Sequence, residues 1–473
     1  MSSNTVPVTA IFDIGKTNKK FLLFDESFNV IHRSQAAIPL TVDDDGDPCD
    51  DLQVVTEWMK ETFEKIHSDK RFTIKAVNFT TYGASFVHID NQGNVVTPLY
   101  DYLKNYPEDL IEEFYAKYGG KEAFSLATAS PSLGMLNSGL QLYWLKNKKP
   151  EIFSKIAHSL HFPQYASYLF TKYLCSELTS IGCHTAMWDF GNNTYHRWVK
   201  QEGMEPLLPP IVSATEHRSI NYKGDQIVAG VGVHDSSASL APYLMALDDP
   251  FLLVSTGTWS ITLNPFNKSL LSNEELNRDC LNFMNVYGEQ VRASRFLLGK
   301  EYEHQKEKLK KQFGVSSYEQ DLSLDVSILE RMIREKNNDK LILETVGGSG
   351  PYPQTSDAAW DISAFDSYEE AYHQLMIDLV SIQADSIQLT LDGKDIRKVI
   401  VTGGFSNNRM FMQLLATMFP DKEVYTANLS DSTALGAAFL MRKAEDITSD
   451  DFLKLKKTKP LADNQLAAYQ WHD

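Results

Sequence analysis

The sequence predicts an α/β protein of two related lobes, each a mixed sheet flanked by helices, and three observations predict it. Short apolar strands alternate with helical patterns along the chain, the signature of layered α/β folds. A strand, a Gly-containing turn and a second strand open the chain between Val8 and Asp25. The same grammar returns between Phe251 and Leu263, and about half the chain separates Gly15 from Gly257.

In order, apolar residues flank Asp13-Ile14-Gly15-Lys16-Thr17-Asn18 and resume at Phe21-Leu22-Leu23-Phe24; a turn at Asp25 to Asn29 then leads into a third short strand. Asp and Pro in the stretch before Phe251 mark a linker, so the boundary is expected near Pro242 to Pro250. The lobes become 1–245 and 246–445, with a loosely ordered tail over 446–473 that includes the basic run Leu453 to Pro460. Phe251 to Val254 enters the turn Ser255-Thr256-Gly257-Thr258, and Ser260 to Leu263 leaves it. Tyr368, Tyr372, Leu375, Leu379 and Ile382 recur at steps of three and four, one apolar stripe on a helix. Val399-Ile400-Val401 reads as a buried strand, followed by Gly403-Gly404 and a helical pattern from Asn408 to Phe419.

Bulk properties exclude several classes. Of 473 residues, 43% are hydrophobic and 23% charged, which is ordinary for a folded protein. A formal net charge of -17 argues against a nucleic-acid surface, yet leaves local phosphate binding at backbone N–H groups open. The four cysteines form no Cys-x-x-Cys pair, so neither a metal nor a disulfide framework is expected. Asp43 to Asp47 lacks the spacing of a calcium loop and reads as a solvated turn. The start has no basic, apolar leader and Leu160 to Leu174 is too interrupted to span a bilayer, so cytoplasm is the expectation.

Four elements carry the chemistry. In the first turn Gly15 permits close approach of a phosphate, Thr17 and Asn18 offer donors, and Lys16 or Lys20 a positive charge. Asp13 suits a magnesium ion, held through water. The second turn presents Gly257 and Thr258 without opposing charge, and the third element, Gly403, Gly404 and Asn407, permits a flat ligand such as a purine against the backbone. Each also reads as a plain turn or helix cap when taken alone. The fourth places Asp235 where an apolar strand gives way to a small-residue helix, either as an N-cap or as a base held ionised by helix N–H groups. His234 beside it suits a substrate hydrogen bond or a structural role.

In this order the elements resemble the FGGY carbohydrate kinases of the actin-like ATPase superfamily, over roughly residues 8 to 445. The resemblance implies two actin-like (ribonuclease H-like) lobes with an active-site cleft between them, ATP and Mg²⁺ as cofactors, and a small sugar as partner. It implies nucleotide contacts at Asp13, Gly15, Thr17, Lys20, Gly257, Thr258, Gly403 and Gly404, and Asp235 as catalytic base. Leu435-Gly436-Ala437-Ala438 resembles the small-residue helix that completes the nucleotide lobe. Thr81 to Asp90 and His234 to Ser239 are similar to the rhamnulokinase and fuculokinase branch, which implies sugar contacts at Tyr82, Gly83, His234, Ser236 and Trp188. A deoxyketohexose such as L-rhamnulose or L-fuculose is the expected acceptor, with a xylulose- or ribulose-type pentulose kinase as the alternative and a non-sugar actin-like ATPase as the rival after that. Three departures stand out: Lys16 where many relatives carry Thr, Ser85 in place of an Asp, and Phe296 in place of an Asn on the helix after the second turn. A homodimer is one expectation for the assembly.

Overall fold

The computed structural model describes residues 5–315, 324–334, 350–351, 361–391, 393, 395–427, 429, 431–442 and 453–461. Over these the chain divides into two compact units. One takes Met1–Leu247, Asn282–Gln290 and Asp431–Phe452, the other Asp248–Leu281, Val291–Ser430 and Leu453–Asp473.

Each unit carries a mixed sheet with one shared strand pattern. In the first, Val6–Ile14 pairs antiparallel with Lys19–Phe24, which pairs antiparallel with Val30–Ala36. On its other edge Val6–Ile14 runs parallel to Phe72–Thr81, itself parallel to Asp225–Gly230. In the second, Phe251–Thr256 pairs antiparallel with Ser260–Asn264, which pairs antiparallel with Gln290–Phe296. Its other edge runs parallel to Lys398–Gly403, and that strand is parallel to Glu423–Thr426. The expectation of two related lobes rests on this repetition: an antiparallel three-strand meander, then two parallel strands.

Central strands follow from their residues. Ala10 to Ile14 is buried throughout, as a run of apolar residues covered on both faces must be. Phe12 packs its ring on Phe79 (centroids 5.9 Å apart), and Phe170 from helix Phe162–Thr171 packs on both Phe79 and Phe63 of helix Leu52–His67. Between residues 86 and 204 a separate aromatic core forms around Phe114, which meets Tyr143 and Trp198 at about 5 Å.

Four details go beyond the sequence reading. Helix Tyr368–Leu391 has more than an apolar stripe: its polar side is buried too, because the sheet and the helix itself satisfy it. Gln383 donates to the Thr262 hydroxyl (2.9 Å) and Asn264 donates to the Thr390 carbonyl (2.7 Å). Phe296 closes the strand Gln290–Phe296 rather than lying on a helix, and it is fully buried. Lys456–Lys457 pairs with Glu423–Thr426, so part of the expected tail is an edge strand; 446–452 and 462–473 lie outside the described residues.

The fourth concerns one helix within the stretch 246–445. Helix Ser432–Phe439 belongs to the first unit, where it packs on helix Asp235–Ala246. Small residues are the reason. A Cβ on Gly436 would fall 1.8 Å from the Ala238 carbonyl oxygen, so only glycine permits this approach. Asn78 secures the same helix by donating to the Ala437 carbonyl at 2.9 Å.

Among the described residues no helix is long and apolar enough to cross a membrane. Replacing Gly436 by Val forces the two helices apart and should destabilise the first unit by about 1–3 kcal/mol, as overpacking does; chemical denaturation of the variant against the parent measures it.

Candidate functional site

In the first unit the turn after Val6–Ile14 closes through Gly15 N–H donating to the Asn18 carbonyl at 2.9 Å. Thr17 and Asn18 sit exposed at its tip. Asp13, on the strand just before, is buried, and its Oδ2 accepts the Thr433 hydroxyl at 2.9 Å. Lys20 Nζ lies 3.8 Å from that carboxylate and 3.2 Å from Asp431, which also pairs with Arg33. Burial pushes the Asp13 carboxyl up to about 6; Lys20 and Thr433 pull it back, while Asp235 and Asp431 add to the rise. Asp235 and Asp431 thus both act on the Asp13 carboxyl, with Lys20 and Arg33 as the nearby cations.

Lys16 is elsewhere. Its Nζ is 2.7 Å from Asp50 and 2.8 Å from Asp101, and it lies 5.3 Å and 5.5 Å from the ring centres of Tyr82 and Tyr102. Asp50 also accepts Lys19 and the Tyr82 hydroxyl, both at 2.7 Å. The ammonium expected at a phosphate is thus paired here with two buried carboxylates. The Tyr82 hydroxyl is likewise committed to Asp50.

Asp235 opens helix Asp235–Ala246 as its first residue, and His234 occupies the cap position. The N-cap alternative for Asp235 is thus not realised. Its Oδ1 accepts the N–H (2.6 Å) and hydroxyl (3.2 Å) of Ser236 and lies 3.2 Å from His234 Nε2. The side chain is 29% exposed, which leaves the carboxylate reachable at the positive end of a helix. His234 is buried, and burial holds its ring below the ordinary histidine range. Gly83 makes room for it: a Cβ there would lie 2.8 Å from the His234 ring. Trp188, expected near a sugar, is buried against Ile181 and Met284.

In the second unit a cavity of about 780 Å³ is lined by Gly257, Thr258, Gly299, Tyr302, Gly404 and Asn407 among others. The two adjacent glycines do different things. Gly403 has φ 87°, and a Cβ there would fall 1.8 Å from the Thr256 carbonyl oxygen, so it serves strand packing. Gly404 has open space around its Cβ position and faces the cavity. Thr256 ties the two turns together: its hydroxyl donates to the Thr402 carbonyl (2.6 Å) and accepts the Phe405 N–H (3.1 Å). A wider cavity of about 840 Å³ in the first unit, beside Thr9, His217 and Arg442, contains none of the expected residues.

Sequence reasoning missed Gly299, Lys300 and Tyr302, which begin helix Leu298–Phe313. A Cβ on Gly299 would lie 2.1 Å from the Gly257 carbonyl oxygen, so this glycine seats the helix on the second turn. The apolar run ending in Gly299-Lys300 at a strand-to-helix switch was the available signal. It also missed Asp50, Asp101, Asp431 and Thr433, distant in sequence from the lysines and the carboxylate they meet, whereas Glu177 to Ser180, singled out for its likeness to the substrate-domain core of the rhamnulokinase branch, contains the buried Glu177.

Residues 8–234 match the N-terminal domain of the FGGY family of carbohydrate kinases, and residues 248–449 match the C-terminal domain of carbohydrate kinase FGGY. The chain belongs to the FGGY carbohydrate kinase family. It is 25% identical over 224 residues to a rhamnulokinase of Klebsiella pneumoniae, covering 46% of this chain and 44% of that protein. The chain thus spans about half the length of the curated relatives it matches. Its fold is that of a carbohydrate kinase from Novosphingobium aromaticivorans (TM-score 0.81, 24% identity, 97% of this chain and 95% of that one). A ligand-bound xylulose kinase from Lactobacillus acidophilus is also similar (TM-score 0.74, 17% identity, 96% and 93%). Both lobes of this FGGY chain are therefore of the actin-like type.

Two predictions follow from the packing. Gly403→Ala should lower the unfolding midpoint of the second unit, while Gly404→Ala should leave it within about 0.5 kcal/mol, since only the former meets backbone; thermal or chemical melts of both variants decide. Burial pushes Glu177 up to about 7 from the ordinary 4.5. A folded state that keeps its proton where the unfolded chain has released it loses stability as pH rises between those values. The parent should accordingly lose on the order of 3 kcal/mol relative to Glu177→Gln from pH 4.5 to above pH 7, read from denaturation midpoints across that range.

Proposed function

We propose that this FGGY chain is an ATP-dependent sugar kinase that transfers the γ-phosphoryl group to a hydroxyl of a ketose. The observation that carries the reading is the Asp235 carboxylate: partly exposed, braced by Ser236, and heading a helix in the same unit as the Asp13 turn. In this reading the first unit binds the sugar, with Gly83, His234 and Ser236 around the acceptor hydroxyl and Asp235 as its base. The second unit binds adenosine in the 780 Å³ cavity, against Gly404 and Asn407, with Gly257 and Thr258 at the phosphates.

Asp235 need not be a strong base. Phosphoryl transfer passes through a loose transition state in which the acceptor proton leaves late, so direction counts for more than basicity. In the first unit Asp13 would hold a magnesium ion through water, which would neutralise charge on phosphate oxygens, and Lys20, Thr17 and Asn18 would offer such oxygens a cation and donors. Lys16 takes no part in this; with Asp50 and Asp101 it braces the floor beside Tyr82. The similarity to rhamnulokinases supports a deoxyketohexose such as L-rhamnulose or L-fuculose as acceptor.

A coupled ADP-release screen over L-rhamnulose, L-fuculose, L- and D-xylulose, L-ribulose and glycerol tests the reading and ranks the acceptors. Turnover on a deoxyketohexose is expected, and a preference for a pentulose would transfer the assignment to that class. Asp235→Ala should lower kcat by roughly 10²–10⁴ with little change in the KM for ATP, the usual loss for a general base. Near-parental turnover in that variant, or none in the parent on any sugar, would sink the proposal.

A further inference from the structure

A short turn ahead of the candidate base grips it from an unexpected direction. Ser176–Glu177 pairs in parallel with Ile211–Val212, which sets where the turn Leu178–Ile181 begins. Glu177 caps that turn: its Oε1 accepts the Thr179 N–H at 2.8 Å, and its Oε2 accepts the Thr179 hydroxyl. The same hydroxyl oxygen accepts the backbone N–H of His234 at 3.0 Å. A hydroxyl has one proton. With that proton directed at Glu177, the oxygen lone pair is free for His234.

The far end of the turn holds His234 as well. Cys183 Sγ lies 3.3 Å from His234 Nε2, and Gly182 lets Met284 pack close, since a Cβ there would be 2.3 Å from Met284 Cγ. His234 is therefore gripped at its backbone by Thr179 and at its ring by Cys183, and Asp235 is the next residue in the chain.

The energetics say this is more than a helix cap. Glu177 is 1% exposed and, among the described residues, has no cationic partner. Burying a carboxyl group with only neutral donors costs more than capping a helix returns. A four-residue turn does not explain such an expense. An oriented hydroxyl beside the Asp235 helix does.

We propose that Glu177 and Thr179 are positioning residues for Asp235: through the His234 N–H they hold the Val233–His234 peptide that leads into the helix cap and so the direction of the Asp235 carboxylate. The inference rests on the reading of Asp235 as the base of a sugar kinase. Without the Thr179 hydroxyl the His234 N–H becomes a buried donor with no partner, and the backbone at the His234–Asp235 junction shifts to relieve it. The strand pairing of Val233–His234 with Thr80 and Thr81 persists, so the helix stays while its first carboxylate swings.

The test uses the full chain, the sugar on which the parent turns over best, and three variants: Thr179→Val, Thr179→Ser and Glu177→Gln. Thr179→Val should lower kcat by about tenfold or more, as small misplacements of a reacting group do, with the KM for ATP within about twofold. Thr179→Ser, which restores the hydroxyl, should return kcat to within about threefold. Hydrogen exchange at the His234 amide should quicken in Thr179→Val and not in Thr179→Ser. Should Thr179→Val fail to fold, the same fall in kcat at unchanged ATP KM in Glu177→Gln decides. Parental kcat in Thr179→Val, or equal loss in the Val and Ser variants, overturns the positioning role while leaving the kinase reading intact. A parent that phosphorylates no sugar overturns the kinase reading and this inference with it.

Discussion

Helix Ser432–Phe439 lies so close to helix Asp235–Ala246 that the Gly436 hydrogen faces the Ala238 carbonyl, and much of the first unit depends on that contact. Dispersion between two small-residue faces operates only at this range, because one methyl group in the seam would clash with backbone. The approach delivers Asp431 and Thr433, from near the end of the chain, to Lys20 and Asp13 at its beginning. It also fixes the axis of the helix that Asp235 heads. One packing constraint thus serves a charged cluster and a carboxylate that share no sequence neighbourhood.

Glycine is used in this protein for two distinct purposes, and the difference is steric. Gly436, Gly403 and Gly299 each stand where a Cβ would meet a carbonyl oxygen at about 2 Å, so they join elements. Gly404 stands in open space beside the 780 Å³ cavity, so it leaves room for something outside the fold. Adjacent letters in the sequence, Gly403 and Gly404, fall on opposite sides of that division. Charge shows a similar partition. Lys16, Lys19 and Lys20 lie within five positions, yet Asp50 and Asp101 take the first, Asp50 the second, and the third goes to the Asp13 and Asp431 carboxylates.

Much of the architecture was legible because strand and turn chemistry is local. Asp13 to Asn18 between two apolar runs, and Ser255 to Thr258 between two others, announced both hairpins and their relation. Asp235 at a strand-to-helix switch was likewise visible, as was the helix around Tyr372 and Leu379. Less could be read where a residue's role depends on a distant partner. Nothing near Lys16 says that Asp50 and Asp101 will claim it, and nothing near Leu435 says that its helix will fold back on the first unit. The family resemblance puts Phe296 on a helix, whereas it ends the strand Gln290–Phe296, whose polar residues such as Arg292 and Ser294 are buried only once the sheet forms.

The sequence by itself determined the fold class, the two hairpin turns and the candidacy of Asp235, since each follows from residues within a few positions of one another. Tertiary structure alone decided which carboxylates each lysine pairs with, which glycine packs and which stays open, where the small-residue helix packs, and that Glu177 reaches His234 through Thr179. The physical reason is range. Backbone preference and hydrophobic periodicity act over one or two turns of chain, whereas ion pairing, burial and steric exclusion depend on what the folded chain brings within a few ångströms.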